Sequence, residues 1–311
     1  KTAQQLECAA QFVKRTGKRV LILCPLAVSQ QTLREAAKFN IDVDCKVVKS
    51  SAECESGISV TNYERLHSFD PLDFDGVIVD EGSILKSVDG KTRTHLLDSF
   101  RHCAFKQSWT ATPAPNDHME IGNQAEFLGA MKRAEMLSTF FVHDGGDTSK
   151  WRLKGHAKSV FWEWMASWAV VLRTPTDLGY DGAGFSLPPL QYIHHEIRGG
   201  GLPGYLFDMP ANTLDERRNA KKSTIATRCE EVAEMVNASN EPWVIWCNYN
   251  QEGETLDSII PDAVEVAGRH SVDAKEDMLT AFTNGQVRVL ITKPKIGGFG
   301  IGLTVLMGIL M

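Results

Sequence analysis

The chain has 311 residues, of which 43% are apolar and 23% charged, and a formal net charge of −6. That length suits two domains, each large enough to bury its own core, and the composition is that of a globular protein. The negative charge excludes a protein that coats nucleic acid by bulk positive charge, though not one that grips a strand in a local groove.

Along the chain, Leu6, Ala9, Ala10 and Val13 recur at helical spacing and predict an opening helix that Gly17 ends. Arg19–Cys24 is a continuous apolar run of buried-strand type, stopped by Pro25, and Ser29–Phe39 resumes a helical pattern. Further strands are predicted at Ile58–Thr61, at Gly76–Val79 and at Ala104–Thr110. The composition shifts near Val142: His143–Thr148 reads as a turn-rich break, followed by a basic patch with Trp151 inside it. An aromatic helix comes next, with Phe161, Trp164, Trp168 and Val171 or Leu172 on one face, and Trp162, Trp164 and Trp168 are read as core. Asp177–Pro189 reads as a linker, Gln191–Ile197 as a strand, and Thr213–Val236 as one long helix. Trp243–Cys247 and Val287–Ile291 are buried-strand runs on either side of a helix at about residues 273–282. Strands alternating with helices predict an α/β fold, with mainly parallel sheets flanked by helices. The predicted domains are 1–145, an insert and linker over 146–190, and 191–311.

Seven cysteines, an odd number with no C-x-x-C pair, read as reduced and mostly buried thiols of a cytosolic protein rather than a disulfide or zinc framework. His194 and His195 do not add a zinc site, because neighbours on a strand point to opposite faces. The opening Lys1-Thr2 has no signal-peptide pattern, and the apolar Ile301–Met311 is far short of the about 20 residues that span a bilayer, so no membrane association is expected.

Three short motifs carry chemistry. Asp80-Glu81 places two carboxylates at the end of a buried strand, where open α/β sheets bind ligands; one can hold a magnesium ion and the other can orient an attacking water. Taken alone, the dipeptide also fits a solvated turn. Thr110-Ala111-Thr112 ends another strand, with hydroxyls able to bond neighbouring loops. Lys1-Thr2 opening a helix matches the end of a phosphate-binding loop, G-x-x-x-x-G-K-[ST].

The order of these motifs resembles the motors of helicase superfamily two, and within them the Swi/Snf-like translocases and their phage and restriction-associated relatives. The resemblance is carried by Lys1-Thr2, LILCPL, TNYE at Thr61–Glu64, DFDGVIVDE, TATPAPND, VIWCNYN and TKPKIGGFG, and spans nearly the whole chain. It implies two RecA-like lobes with ATP in the cleft between them and a helical insert. It implies that Lys1 contacts the β- and γ-phosphates, that Thr2 and Asp80 hold Mg2+, and that Glu81 positions the hydrolytic water. Thr110, Ala111 and Thr112 would couple the ATP state to strand binding. Pro25, Leu26, Thr61, Asn62, Tyr63, Asn248, Asn250 and Thr292 would touch nucleic acid, with double-stranded DNA the expected partner. Gly298 and Gly300 would let backbone N–H groups approach phosphates.

The sequence departs from the family in three places. The acidic motif reads Asp80-Glu81-Gly82-Ser83 instead of a D-E-x-H form, Gly302-Leu303-Thr304 replaces the usual Asn-containing continuation, and the motif with the arginine finger is absent. The expectation is a chain cut at both ends inside its own motifs, inactive as given, with Val305, Leu306, Ile309 and Leu310 poorly covered. In the basic segment Ser149–Ser159, Lys150, Arg152 and Lys154 interleaved with Trp151 fit a phosphate backbone with a stacked base, and equally a solvated face anchored by the tryptophan. Two alternatives to a DNA-stimulated translocase are the motor part of a restriction system, with a nuclease or methyltransferase partner, and a non-catalytic nucleic-acid-binding remnant.

Overall fold

The computed structural model of the chain describes residues 1–55, 57–87, 90–144, 147–185, 189–197, 212–298 and 307–310. Packing divides the chain into two compact units, the first built from 1–81, 102–109 and 196–311 and the second from 82–101 and 110–195. Residues 82–101 and 110–145, read from the sequence as part of the first lobe, therefore group with the insert.

The first unit opens with helix α1 (Thr2–Thr16), which Gly17 terminates in the left-handed conformation at φ 68°, donating its N–H back to Val13. Strands β1 (Val20–Cys24), β2 (Cys45–Val47), β3 (Ile58–Asn62), β4 (Gly76–Asp80) and β5 (Phe105–Trp109) form one parallel sheet in the order β2-β3-β1-β4-β5. Its central strands are buried along their whole length, which is why they read as unbroken apolar runs. Gly76 is needed at the start of β4, since a Cβ there would lie 2.9 Å from the Phe105 ring and 3.1 Å from Val20. Leu6, Ala9 and Ala10 of α1 pack on Val20, Ile22, Ile58, Val60 and Ile78. Helix α2 (Ser29–Lys38) adds Ala36 to the same core.

In the second unit, α3 (Lys91–Ser99), α4 (Ile121–Leu128), α5 (Arg133–Phe140), the antiparallel hairpin β6 (Phe141–Asp144) and β7 (Asp147–Leu153), and α6 (Lys158–Ala166) surround an aromatic core of Phe140, Phe141 and Phe161. The turn-rich break is thus a hairpin. Helix α6 ends at Ala166, so Trp164 and Trp168 pack against the core while Val171 and Leu172, expected on the same face, are exposed.

The remaining part of the first unit holds a second parallel sheet. The predicted long helix is two, α7 (Leu214–Ser223) and α8 (Ile225–Asn237), broken at Thr224, whose hydroxyl caps the Ala220 and Lys221 carbonyls. Strand β8 (Trp243–Trp246), α9 (Asn250–Ile259), β9 (Ala263–Val266), α10 (Val272–Thr283), β10 (Val289–Thr292) and β11 (Met307–Leu310) follow, with the strands ordered β11-β8-β10-β9. The expected strand at Gln191–Ile197 does not form; the segment is irregular and largely exposed, with no partner strand among the described residues to satisfy its backbone. Of the C-terminal apolar residues expected to be poorly covered, Ile309 packs on the core of α8, α9 and β10, where β11 pairs in parallel with β8; the Leu310 side chain lies outside the described residues. Val305 and Leu306 lie outside the described residues.

Both sheets use one winding. In each, the first strand is central, the second is outermost, the third inserts between them, and the fourth pairs with the free side of the first. The repetition is one of topology; no short-period repeat marks it in the sequence.

Candidate functional site

The first sheet reverses its winding direction between β1 and β4, and in open α/β sheets ligands bind beyond the carboxyl ends at such a point. Asp80 ends β4 there and is buried, 2% exposed. The Lys1 ammonium lies 3.0 Å from Asp80 Oδ1 and also bonds the Glu81 carboxylate. Burial alone would pull the Lys1 ammonium down, but the Glu81 hydrogen bond and the Asp80 charge outweigh it and hold the group above the ordinary lysine value. Lys1 is the N-cap of α1 and Thr2 its first residue, half-buried, so the unpaired N–H groups of a helix start accompany the cation.

Two further side chains hold Asp80: Gln5, which was not singled out from the sequence, and Tyr63, expected there as a nucleic-acid contact. Gln5, 1% exposed, donates from Nε2 to Asp80 Oδ1 at 2.7 Å. It lies one helical turn from Lys1, and i,i+4 spacing was the available signal. Tyr63 donates its hydroxyl to the Asp80 backbone carbonyl. Burial, with the Asp80 charge nearby, pushes that phenol well above its usual range, so it stays a donor.

Glu81 has φ 52°, one of two non-glycine residues in the left-handed region among the described residues, the other being Asn40. Asparagine tolerates that region; a glutamate there is held by its surroundings, as strained residues at working sites often are. The turn directs Glu81 to Lys1 while Asp80 points to Gln5 and Lys1.

The other predicted residues divide by exposure. Pro25 is half-buried and Leu26 buried after β1. Thr61 and Asn62 are wholly buried; Thr61 Oγ1 and Asn62 Nδ2 have no hydrogen-bond partner among the described residues, while Asn62 Oδ1 caps the turn Tyr63–Ser68 by accepting from the Arg65 N–H at 3.2 Å. Thr292 is also buried and donates to the Val266 carbonyl at 2.9 Å. In this conformation these three side chains do not reach solvent. Asn248 and Asn250 are exposed beyond β8, where Asn250 accepts from Lys293 at 2.6 Å; Lys293, beyond β10, is a cation not singled out from the sequence. Gly298 follows β10 on a short turn, where a Cβ would lie 2.3 Å from the Pro294 carbonyl oxygen; Gly300 lies outside the described residues.

Thr110, Ala111 and Thr112 belong to the second unit, where the Thr112 N–H donates to Thr110 Oγ1 at 3.0 Å. In the basic segment, Arg152 is exposed on β7, and the Lys150 side chain lies outside the described residues. Lys154 turns inward and donates to the Ser138 and Thr139 carbonyls at 2.8 and 2.9 Å, capping the end of α5. The residue is half-buried and its ammonium is engaged by those carbonyls. Trp151 lies against His143 with centroids 3.7 Å apart and packs on the aromatic core, which makes it an anchor.

No protein-family profile and no curated protein matches the chain. Among solved structures it is similar to the Sulfolobus solfataricus SWI2/SNF2 ATPase core in complex with dsDNA, at 15% identity over 99% of this chain and 81% of that one, with a TM-score of 0.45. It is also similar to the Sulfolobus solfataricus SWI2/SNF2 ATPase core domain (18% identity, 95% and 70% coverage, TM-score 0.42) and to the UvsW helicase from bacteriophage T4 (12% identity, 41% and 48% coverage, TM-score 0.35). At such low scores and identities, function is read from this chain's own side chains.

Proposed function

We propose that the chain is the core of a nucleic-acid-dependent ATPase of helicase superfamily two, a Swi/Snf-like motor acting on double-stranded DNA, with ATP and Mg2+ as its cofactors. The observation that carries this reading is the Lys1 ammonium seated on Asp80 and Glu81 at the carboxyl end of a parallel sheet. A lysine at a helix start, opposite paired carboxylates, is the arrangement that phosphoryl-transfer ATPases use on a nucleotide and its metal. The repeated sheet winding supports two RecA-like lobes.

The donor set fits both cofactors. Among the described residues no three His, Cys, Asp or Glu side chains converge, but magnesium needs only one or two carboxylates when phosphates supply the rest. Asp80 and Thr2 would hold the ion, which when bound neutralises phosphate charge. Lys1 binds phosphate oxygens, and the helix start behind it favours the anion. Gln5 and Tyr63 fix Asp80, and Glu81 orients a water for attack. Nucleic acid would run over the carboxyl-end loops, contacted through Pro25, Asn248 and Asn250, while buried Leu26, Thr61, Asn62 and Thr292 shape those loops. Among the described residues no helix is long and apolar enough to cross a membrane.

The test is ATP hydrolysis by the full-length protein with and without duplex DNA, alongside Glu81→Gln. The reading requires DNA-stimulated turnover that the substitution abolishes.

A further inference from the structure

The short turn Tyr63–Ser68 after β3 makes contacts in two directions. At its first residue, Tyr63 bonds the Asp80 carbonyl in the first sheet. Two residues on, Arg65, 8% exposed, pairs with Glu276 at 3.1 Å and with Asp273, both on α10 beside the second sheet. Asn62 locks the turn by accepting the Arg65 N–H.

Glu276 is 7% exposed and uses both carboxylate oxygens: Oε2 meets Arg65, and Oε1 accepts from Ser29 Oγ at 2.5 Å. Ser29 opens α2 just after β1, and β1 and β3 are neighbours, with Cys24 opposite Asn62. One carboxylate from the second sheet's helix thus holds the segments that follow two adjacent strands of the first. Around it, Ala27 packs with Leu279 and Phe282, and Lys49 reaches Asp273 at 2.7 Å.

A buried ion pair is a poor means of adding stability, because desolvation cancels much of the attraction; what it supplies is a fixed geometry. Here the geometry ends, through a three-residue stretch, on the residue before Glu81. Resting on the ATPase reading of Asp80 and Glu81, we infer that Arg65 and Glu276 are positioning residues: their pairing transmits the seating of α10 on the first sheet, through Tyr63, to the carboxylate pair. When α10 shifts, Arg65 loses its partner, the turn relaxes, and Tyr63 releases the Asp80 carbonyl.

The test uses the full-length protein and two readouts. Amide hydrogen exchange is compared between wild type and Glu276→Gln, an isosteric change that removes charge from α10 while retaining its shape. The expected result is faster exchange at residues 63–68 and 80–81, far along the chain from the substitution. In steady-state hydrolysis, kcat falls by about tenfold or more, the scale of a misplaced reacting group, while KM for ATP is little changed. Arg65→Lys keeps the charge without the planar fork and falls between wild type and Arg65→Met. The exchanged pair Arg65→Glu with Glu276→Arg recovers part of the lost turnover. Exchange changes confined to α10, or single-variant effects that simply add in the Arg65→Met/Glu276→Met double variant, would overturn the inference. Exchange needs no hydrolysis, so a wild type that shows the coupling but hydrolyses no ATP refutes the ATPase reading alone.

Discussion

Gln5 donates to Asp80 Oδ1 at 2.7 Å, so the first turn of the opening helix fixes a carboxylate that the chain reaches only at the end of its fourth strand. Lys1, one turn earlier on the same helix, bonds that carboxylate and its neighbour Glu81. The two acids therefore have different freedom: Asp80 is buried and held from several sides, while Glu81 turns out on a left-handed backbone.

That difference predicts different losses. Glu81→Gln should keep ATP binding and abolish most turnover, since an amide orients water but accepts no proton; removal of such a group costs on the order of 10²–10⁴ in rate. Asp80→Asn should instead raise the magnesium concentration needed for half-maximal activity. Nucleotide-binding titrations and magnesium curves on both variants check this; unchanged turnover in Glu81→Gln would remove the residue from the mechanism.

The buried thiols set an alkaline limit. Burial, with the Glu252 charge added to it, pushes Cys247 up to about 12, and burial pushes Cys103 and Cys229 up to about 11 from an ordinary value of 9.0. For an acid whose folded value is raised, both states keep the proton below the unfolded value. Above it the unfolded state sheds the proton first, so stability is full below about pH 9 and falls as pH rises toward the folded value. Urea unfolding between pH 8 and 11 should show that decline, with a shallower slope in Cys247→Ala. Equal slopes would mean the thiol does not contribute.

How much of this was legible beforehand depends on how local the signal was. The buried strands were read almost to the residue, because a strand covered on both faces is an apolar run bounded by Gly or Pro, as at Val20–Cys24. The failures are tertiary. Gln191–Ile197 has strand composition but no partner strand among the described residues, and Thr224 separates a polar helix with no buried residue from one with a buried apolar face. The carboxylate pair was visible as a dipeptide at a strand end. Tyr63 was not visible as its partner, because β1 lies between β3 and β4 and only the assembled sheet brings the two strand ends within reach of one side chain.

Arg288 should be a stability residue of the second sheet. Its guanidinium donates to the Val236 and Ser239 carbonyls at 3.0 and 2.7 Å and to Asp262, tying the end of α8 to the strands. Arg288→Ala should cost about 2–3 kcal/mol, the scale for losing several charge-assisted bonds. Arg288→Lys should recover little, because an ammonium cannot span the same acceptors. Chemical denaturation of the three proteins measures both effects.

The basic hairpin gives a paired test. Lys154→Ala should lower thermal stability by freeing the carbonyls at the end of α5 and leave the salt dependence of DNA binding as in wild type. Arg152→Ala should reduce the log–log salt slope by about 0.7–0.9 if that exposed cation meets a phosphate. A reduced slope in Lys154→Ala would show that its inward bonds give way to DNA.

The shared winding of the two sheets has a stoichiometric consequence. β4 and β11 occupy equivalent places, each pairing with the free side of its sheet's first strand. β4 runs into Asp80-Glu81, and the described part of β11 reads Met-Gly-Ile-Leu. The architecture is used twice, and by register Met307–Leu310 corresponds to Gly76–Val79, the four residues before Asp80. If the carboxylate pair of the first sheet is the nucleotide site, calorimetric titration of the full-length protein should find one nucleotide bound per chain, lost on replacement of Lys1 by alanine.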